Sequence, residues 1–282
     1  MKPALKTPIT YYGGKQYMIN DIVPKFPPHK IYVEPFFGGG AIFFAKQPSY
    51  LEVINDINNN VVNFFQVLKS DTESLRSEIE CTLLSEFLHK QAKHIVYNPE
   101  GYSEVKRAWA FWMATNFSHS SKLDGGFRFC NGTSGSHSGI VFKNKREFML
   151  KFVNVYARRL EKVQIFNRDA LEVLDFRNRP ETLAYIDPPY IGADQGHYRG
   201  YTQNNLDKLL DLLKNFQGKF ILSHYRNKSI LDAACDNGWT VELLDKRLSV
   251  KKDESRKTEM LVYNFSVPKQ SIMNYNLVFD EA

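Results

Sequence analysis

The sequence predicts an α/β protein whose mainly parallel sheet is covered by helices on both faces. Three observations carry that prediction. Short apolar strands alternate with helical segments, Gly- and Pro-rich turns sit directly behind the strands, and a long central stretch breaks the rhythm. Ile31–Glu34 reads as the first strand, running through Pro35-Phe36-Phe37-Gly38-Gly39-Gly40 into a helix-like stretch from Ala41 to Lys46. Leu51–Ile54 is the second, ending in Asn55-Asp56 before a helix over Asn59–Lys69. Val163–Phe166, Leu183–Ile186 and Phe220–Ser223 follow as the third to fifth strands. Leu206, Leu209, Leu210 and Leu213 recur at helical spacing, with Thr202 as the cap. Thr240–Leu244 and Met260–Phe265 read as a closing antiparallel pair.

The break falls over residues 70–162, which we read as an insertion between two halves, 1–69 and 163–282, of one discontinuous domain. Its first part is helical, with Ala108, Phe111, Trp112 and Thr115 on one face. Ser118–Ser138, rich in Ser, Gly, His and Asn, is too long for an ordinary connection and reads as an exposed functional loop. From Lys122 to Lys162 there are nine Lys or Arg against three acids, so this segment equals the whole net charge of +6 and the remainder balances. A concentrated basic segment is the footprint of a polyanion-binding surface, although Arg158, Arg159 and Lys162 equally suit a solvated helix face.

The chain has 43% hydrophobic and 14% aromatic residues, as a folded globule requires. No run approaches the ~18 apolar residues of a membrane span, and the first residues lack a signal peptide's apolar core. A cytoplasmic protein is expected. Cys81, Cys130 and Cys235 are odd in number and far apart, which argues against a disulfide framework or a Cys-rich metal site.

Asp187-Pro188-Pro189-Tyr190 follows the apolar run Thr182–Ile186. In an open α/β sheet, ligands bind at the C-terminal ends of the strands. Two prolines remove two backbone donors and leave carbonyls to accept from something else. Acceptors beside a flat ring suit a planar substrate carrying an amine, such as a nucleobase, although alone the loop is equally well a stiff turn. The neighbouring strand ends add to it. Gly38–Gly40 let the backbone approach a ligand ahead of a helix N-terminus. Asp56 is placed to accept from ribose hydroxyls, and Asp169 lies where an adenine ring would fall. The glycines lack the G-x-G-x-x-G spacing of dinucleotide sites, and no P-loop is present. Glu34 is unsuited to pyrophosphate but suits an ammonium. A cofactor with ribose, adenine, an ammonium and no phosphate is S-adenosylmethionine.

Tyr11-Tyr12-Gly13-Gly14-Lys15, Val33-Glu34-Pro-Phe-Phe-Gly-Gly-Gly-Ala-Ile-Phe43, Asn55-Asp56-Ile57-Asn58, Arg168-Asp169-Ala170, Asp187-Pro-Pro-Tyr190 and Glu259-Met-Leu-Val-Tyr-Asn264-Phe occur in this order along nearly the whole chain. Together they resemble the Dam-like N(6)-adenine-specific DNA methyltransferases whose cofactor motif precedes the recognition domain. The resemblance implies a Rossmann-like S-adenosylmethionine-dependent methyltransferase sheet, formed by 1–69 and 163–282, with an inserted, mainly helical DNA-recognition domain at 70–162. It implies cofactor contacts from Tyr11, Lys15, Glu34, Phe36, Gly38, Asp56, Asp169 and Asp187. It also implies catalysis by Asp187 and the Pro188 carbonyl, with Pro189 shaping the loop and Tyr190 stacking on the extruded base. No metal is expected. The expected partner is double-stranded DNA, with a cognate restriction endonuclease left open and no membrane. Asp187, where related loops carry Ser or Asn, favours adenine over cytosine or a protein amide. Lys122, Arg128 and Asn131 are candidate DNA contacts, and Lys143, Lys145 and Arg146 candidate phosphate clamps. For any single residue of the loop, a turn role is as good a reading. Members reading GATC carry a Phe-Asn-x-Pro stretch where this chain has Gly126-Phe-Arg-Phe-Cys-Asn-Gly132, so a GATC target is not expected.

Overall fold

The computed structural model describes residues 5–11, 13–119, 122–129, 138–192, 200–244 and 258–267. Among them seven strands form one sheet in the order β3-β2-β1-β4-β5-β7-β6. They are β1 (Ile31–Glu34), β2 (Leu51–Asn55), β3 (Gln164–Phe166), β4 (Thr182–Ile186), β5 (Lys219–Tyr225), β6 (Thr240–Leu244) and β7 (Glu259–Tyr263). β3, β2, β1, β4 and β5 pair in parallel, while β7 runs antiparallel to both β5 and β6. The expected closing pair is therefore present, with its second strand slotted between the fifth and the sixth. This is the expected Rossmann-like sheet, and its strand order reverses between β1 and β4.

Every residue of β4 is buried, as a central parallel strand covered on both faces requires. On one face Val33, Val53, Ala184, Ile186, Leu222 and Val262 pack with the helices α8 (Ala170–Phe176), α9 (Gln203–Lys214) and α10 (Lys228–Asn237). The expected leucines of α9 are its buried stripe, and Thr202 and Asn205 form a capping box at its start. On the other face Tyr32, Ile54, Leu183, Tyr185, Ile221 and Leu261 meet α2 (Ala41–Ala45) and α3 (Asn59–Ser70). A short helix, α1 (Ile19–Ile22), adds Ile22 to that core.

Residues 70–162 build a further helical layer on that second face. It consists of α4 (Thr72–Glu80), α5 (Glu86–Tyr97), α6 (Glu104–Phe117) and α7 (Ser138–Leu160). Ser85 and Ser103 cap α5 and α6, and every residue of α6 from Ala108 onward is buried, packed against α3 and α5. Phe111, Trp112 and Met113 belong to the same continuous core as Phe37, Phe43 and Phe65. The layer therefore has no core of its own among the described residues.

After α6, Ser118 forms an isolated antiparallel bridge with Phe127, and α7 begins at Ser138. The β-branched, Gly-led start Ser138-Gly-Ile-Val-Phe142 is a poor helix former by propensity. Packing decides it, because Phe142 is buried 4.9 Å from the Phe117 ring centroid.

Candidate active site

Strand alternation sends Tyr32 and Glu34 of β1, and Tyr185 and Asp187 at the end of β4, to one face at the reversal point. The Tyr32 hydroxyl donates to Glu34 Oε2 at 2.8 Å. Beyond Glu34, the Gly-rich turn is fixed from β2: Phe37 N donates to the Asn55 carbonyl at 2.9 Å and Gly38 N to Asp56 Oδ2 at 2.8 Å. Gly38 has φ +51°, and a Cβ there would lie 2.9 Å from the Tyr11 ring. Only glycine lets Tyr11 lie against the turn. Asp56 Oδ1 accepts from Asn58 N at 2.8 Å, so the carboxylate ties the glycine turn to the start of α3. The Asn55 side chain bridges Pro35 O, Arg168 O and Arg168 N, joining three strand-end loops. Asp169 is exposed and caps α8 through Leu171 N at 2.7 Å. Half-buried Phe36 meets Tyr201 edge-on, with ring centroids 6.1 Å apart.

Across this cleft, Lys15 is 4% exposed and its ammonium lies 2.8 Å from Asp187 Oδ2. It also donates to Gly13 O at 2.9 Å and sits 4.8 Å from the Tyr190 ring centroid. Asp187 Oδ1 is buried without a hydrogen-bond partner among the described residues. Pro188 and Pro189 bring no N–H to satisfy it. The Tyr190 hydroxyl donates to Glu259 Oε2 at 2.8 Å and accepts from Ser223 Oγ at 2.8 Å. Tyr17 donates to the other Glu259 oxygen at 2.9 Å. Behind the Tyr190 ring stands His224, with centroids 4.6 Å apart. Its Nε2 accepts from Ile191 N at 3.1 Å, which leaves Nδ1 as the protonated nitrogen, donating to Tyr225 O at 2.8 Å.

The electrostatics of the cleft are lopsided. Burial pushes Glu34 up to about 8, against the Tyr32 hydrogen bond and helped by the charge of Asp187. Burial also raises Asp187 and Glu259, each opposed by the Lys15 ammonium. His224 is held low by burial, consistent with the neutral ring its hydrogen bonds require. Asp187 and Glu259 thus share a single ammonium, Lys15, while Glu34 feels the charge of Asp187 and is opposed by Lys46 and Arg159; a cationic ligand would relieve this carboxyl excess.

The structure thus brings Tyr11, Lys15, Glu34, Gly38, Asp56, Asp187 and Tyr190 to one sheet edge. Tyr17, Tyr32, Ser223, His224 and Glu259 complete the cleft and escaped residue-level reading. Nothing in their local sequence marks them as site residues. The candidate DNA contacts are dispersed. Lys122 and Arg128 are half-buried near the Ser118–Phe127 bridge, Lys143 is exposed 3.7 Å from Glu147, and Asn131 lies outside the described residues. Lys145 turns inward, donating to Thr10 Oγ1 at 2.6 Å and Asn116 Oδ1 at 3.0 Å, and burial lowers it to about 8. Arg146 donates to Thr82 O at 3.1 Å. No helix among the described residues is long and apolar enough to cross a membrane.

Comparison with known proteins agrees with this architecture. The Type II methyltransferase M.MjaIII of Methanocaldococcus jannaschii is 26% identical over 94% of this chain and 99% of its own length. The DNA adenine methylase of Haemophilus influenzae is 23% identical over 93% of each chain. Modification methylase StsI of Streptococcus sanguinis is 24% identical over 97% of this chain, which spans 45% of that longer protein. The family model of the D12 class N6 adenine-specific DNA methyltransferases matches residues 11–259, from the aromatic that lies on the glycine turn to the carboxylate that holds Tyr190, and the chain belongs to that family.

Proposed function

We propose that this adenine-specific DNA methyltransferase draws its methyl group from S-adenosylmethionine held at the β1/β4 reversal and acts on an adenine flipped out of duplex DNA. Asp187 Oδ1, buried beside Tyr190 at the end of β4 with no hydrogen-bond partner among the described residues, is the observation that carries this reading. The residues fit the cofactor: the carboxyl excess suits a cation, and a Gly-rich turn with Asp56 suits a ribose without phosphates. Glu34 would hold its ammonium, Lys15 its carboxylate, Asp56 the ribose and Asp169 the adenine amine, with Tyr11, Phe36 and Gly38 along its length. Bound there, S-adenosylmethionine supplies an electrophilic methyl group.

The chain's own groups then prepare the nucleophile. Adenine's amine is a poor one because its lone pair is delocalised into the ring. Asp187 Oδ1 and the Pro188 carbonyl accept its two hydrogens and favour the pyramidal form in which the lone pair is localised. This is preorganised electrostatics together with alignment. Extrusion of the base costs a few kcal/mol, which stacking on Tyr190 helps to offset. Lys15 keeps Asp187 oriented through the other oxygen, leaving Oδ1 as the acceptor.

Residues 70–162 would read the target sequence, with the loop at Lys122 and Arg128 facing DNA. The naming of M.MjaIII as a Type II methyltransferase supports a restriction–modification role, with a cognate endonuclease as the partner to seek. A cytoplasmic site of action follows from the DNA substrate. The test is transfer of tritiated methyl groups to duplex DNA containing every short adenine context. Wild type should label DNA, and Asp187→Ala should lose at least ~100-fold in rate while still binding DNA. Equal labelling by both proteins would overturn the reading.

A further inference from the structure

The cleft contains a group that methyl transfer does not require to touch substrate. Glu259 is 3% exposed, stands at the first position of the reversed strand β7, and pairs in register with Tyr225 of β5. Its two carboxylate oxygens take hydroxyl protons from Tyr190 and Tyr17. Ser223, two positions before Tyr225 on the same face of β5, gives the Tyr190 hydroxyl its second hydrogen bond at 2.8 Å. His224, pointing to the opposite face, receives Ile191 N at 3.1 Å and so fixes the backbone immediately after Tyr190.

We infer that strands β5 and β7 form a positioning clamp for Tyr190, with Glu259 as its charged member. The loop that follows β4 holds two prolines but ends in a side chain with two rotatable bonds, and a ring meant to receive a base must not turn. Packing alone leaves the hydroxyl end of a phenol undirected. Here that end is fixed by an acceptor on β7 and a donor on β5, while the ring plane is backed by His224. The sheet gives both strands rigidity that a loop lacks. Glu259 therefore acts through Tyr190 and not on the methyl group: it is a positioning residue. The inference rests on the reading of Tyr190 as the base-stacking ring.

The experiment measures base extrusion and chemistry separately, using the full-length protein, duplex DNA with 2-aminopurine at the target adenine, and single-turnover methylation. Tyr190→Phe keeps the ring and removes the hydroxyl, while Glu259→Ala keeps the hydroxyl and removes its acceptor. Each should reduce the single-turnover rate by about 10- to 100-fold, the scale on which small misplacements act. The 2-aminopurine signal should fall with it, and in Tyr190→Phe, which leaves the carboxyl groups in place, cofactor affinity should stay within about twofold. The double variant should be no worse than either single one, because both remove the same contact. Glu259→Gln, which leaves one acceptor for two hydroxyls, gives an isosteric form should Glu259→Ala fail to fold, and it should show a smaller defect of the same kind. Multiplying defects, or full activity in Tyr190→Phe, would overturn the clamp. Tyr190→Ala separates the two levels. If it too flips and methylates normally, the base-stacking reading itself fails; if it is impaired while Tyr190→Phe and Glu259→Ala are not, only the clamp is wrong.

Discussion

Two buried charge clusters lie on the same face of the sheet and are built on opposite terms. Toward the N-terminal ends of the strands, one carboxylate, Glu52, meets two cations, Lys46 and Arg159. Both its oxygens are occupied: Lys46, Arg159 Nη2 and Ser49 N reach Oε1, and Arg159 Nη1 reaches Oε2. The Arg159 guanidinium also lies 3.7 Å from the Phe43 ring centroid, and Lys46 donates to Gln47 O and Ser49 Oγ. Burial alone would raise Glu52, but the Arg159 hydrogen bond and the Lys46 charge pull it below its ordinary value. Toward the C-terminal ends, Asp187 and Glu259 share Lys15 and Glu34 feels the charge of Asp187; all three are raised, and one Asp187 oxygen has no hydrogen-bond partner among the described residues. A buried cluster that serves the fold is internally paired. One that serves a ligand is left short of a counter-charge.

The contrast is broken or kept first by stability. Glu52→Ala leaves Lys46 and Arg159 buried and facing each other, and breaking such a cluster costs about 3–5 kcal/mol. Urea denaturation should show that loss, with the remaining folded protein binding cofactor normally. Glu34→Gln replaces a carboxyl that is already mostly protonated at neutral pH, so its stability should lie within ~1 kcal/mol of wild type. Equal losses in the two variants would erase the distinction.

Next in size is the cofactor. Asp56→Ala removes the acceptor proposed for the ribose and the tie to Gly38 N, and hydrogen bonds to a charged group contribute about 1.5–3 kcal/mol. Calorimetry should record S-adenosylmethionine affinity lowered by about 10- to 100-fold with DNA affinity unchanged. Unchanged cofactor affinity would remove the ribose role.

What the residues could tell in advance follows from how local each signal is. The strand ends were legible because each motif is contiguous and its position behind an apolar run dictates where it lies in a parallel sheet. The counterpart of Asp187 in Lys15, 172 residues away by number, was legible only through a resemblance, and the geometry then gave it a 2.8 Å contact. Ser223, His224 and Glu259 were illegible as site residues because the slotting of β7 beside β5 is a tertiary event with no local trace. Lys145 shows a limit of the opposite kind. Counted as one charge in a basic segment it looks like a phosphate contact, yet helical phase turns it toward Thr10 and Asn116. Charge is read from composition, but direction is set by packing.

A smaller effect probes the lopsided cleft through pH. Glu34 sits at about 8, so the ligand-free protein holds its proton at neutrality. A bound ammonium favours the carboxylate and lowers that value, so binding expels a proton and affinity should rise with pH toward 8, then level off. Calorimetry at pH 7 in two buffers of different ionisation enthalpy should detect the released proton in wild type. It should be absent in Glu34→Gln, and the difference between the two removes the cofactor's own titration. Identical proton release would place the ammonium elsewhere.

The smallest expected effect separates two lysines two residues apart on α7. Lys143 is exposed and loosely paired with Glu147, whereas Lys145 is fixed to Thr10, which immediately precedes Tyr11. If Lys143 neutralises one phosphate, Lys143→Ala should flatten the dependence of log affinity on log salt by about 0.9. Lys145→Met should leave that slope unchanged, because an ammonium already bound to Thr10 and Asn116 releases no counterion from DNA. Its effect should instead appear at the cofactor: Thr10 keeps its bond to Asn116 but loses the Lys145 donor, which loosens the segment that carries Tyr11 and Lys15, and S-adenosylmethionine affinity should drop by a few-fold, on the scale of about 1 kcal/mol for one internal hydrogen bond. A reduced salt slope in Lys145→Met would show that the side chain leaves its buried site to meet DNA, and would move it from the fold-serving class of buried charge to the ligand-serving one.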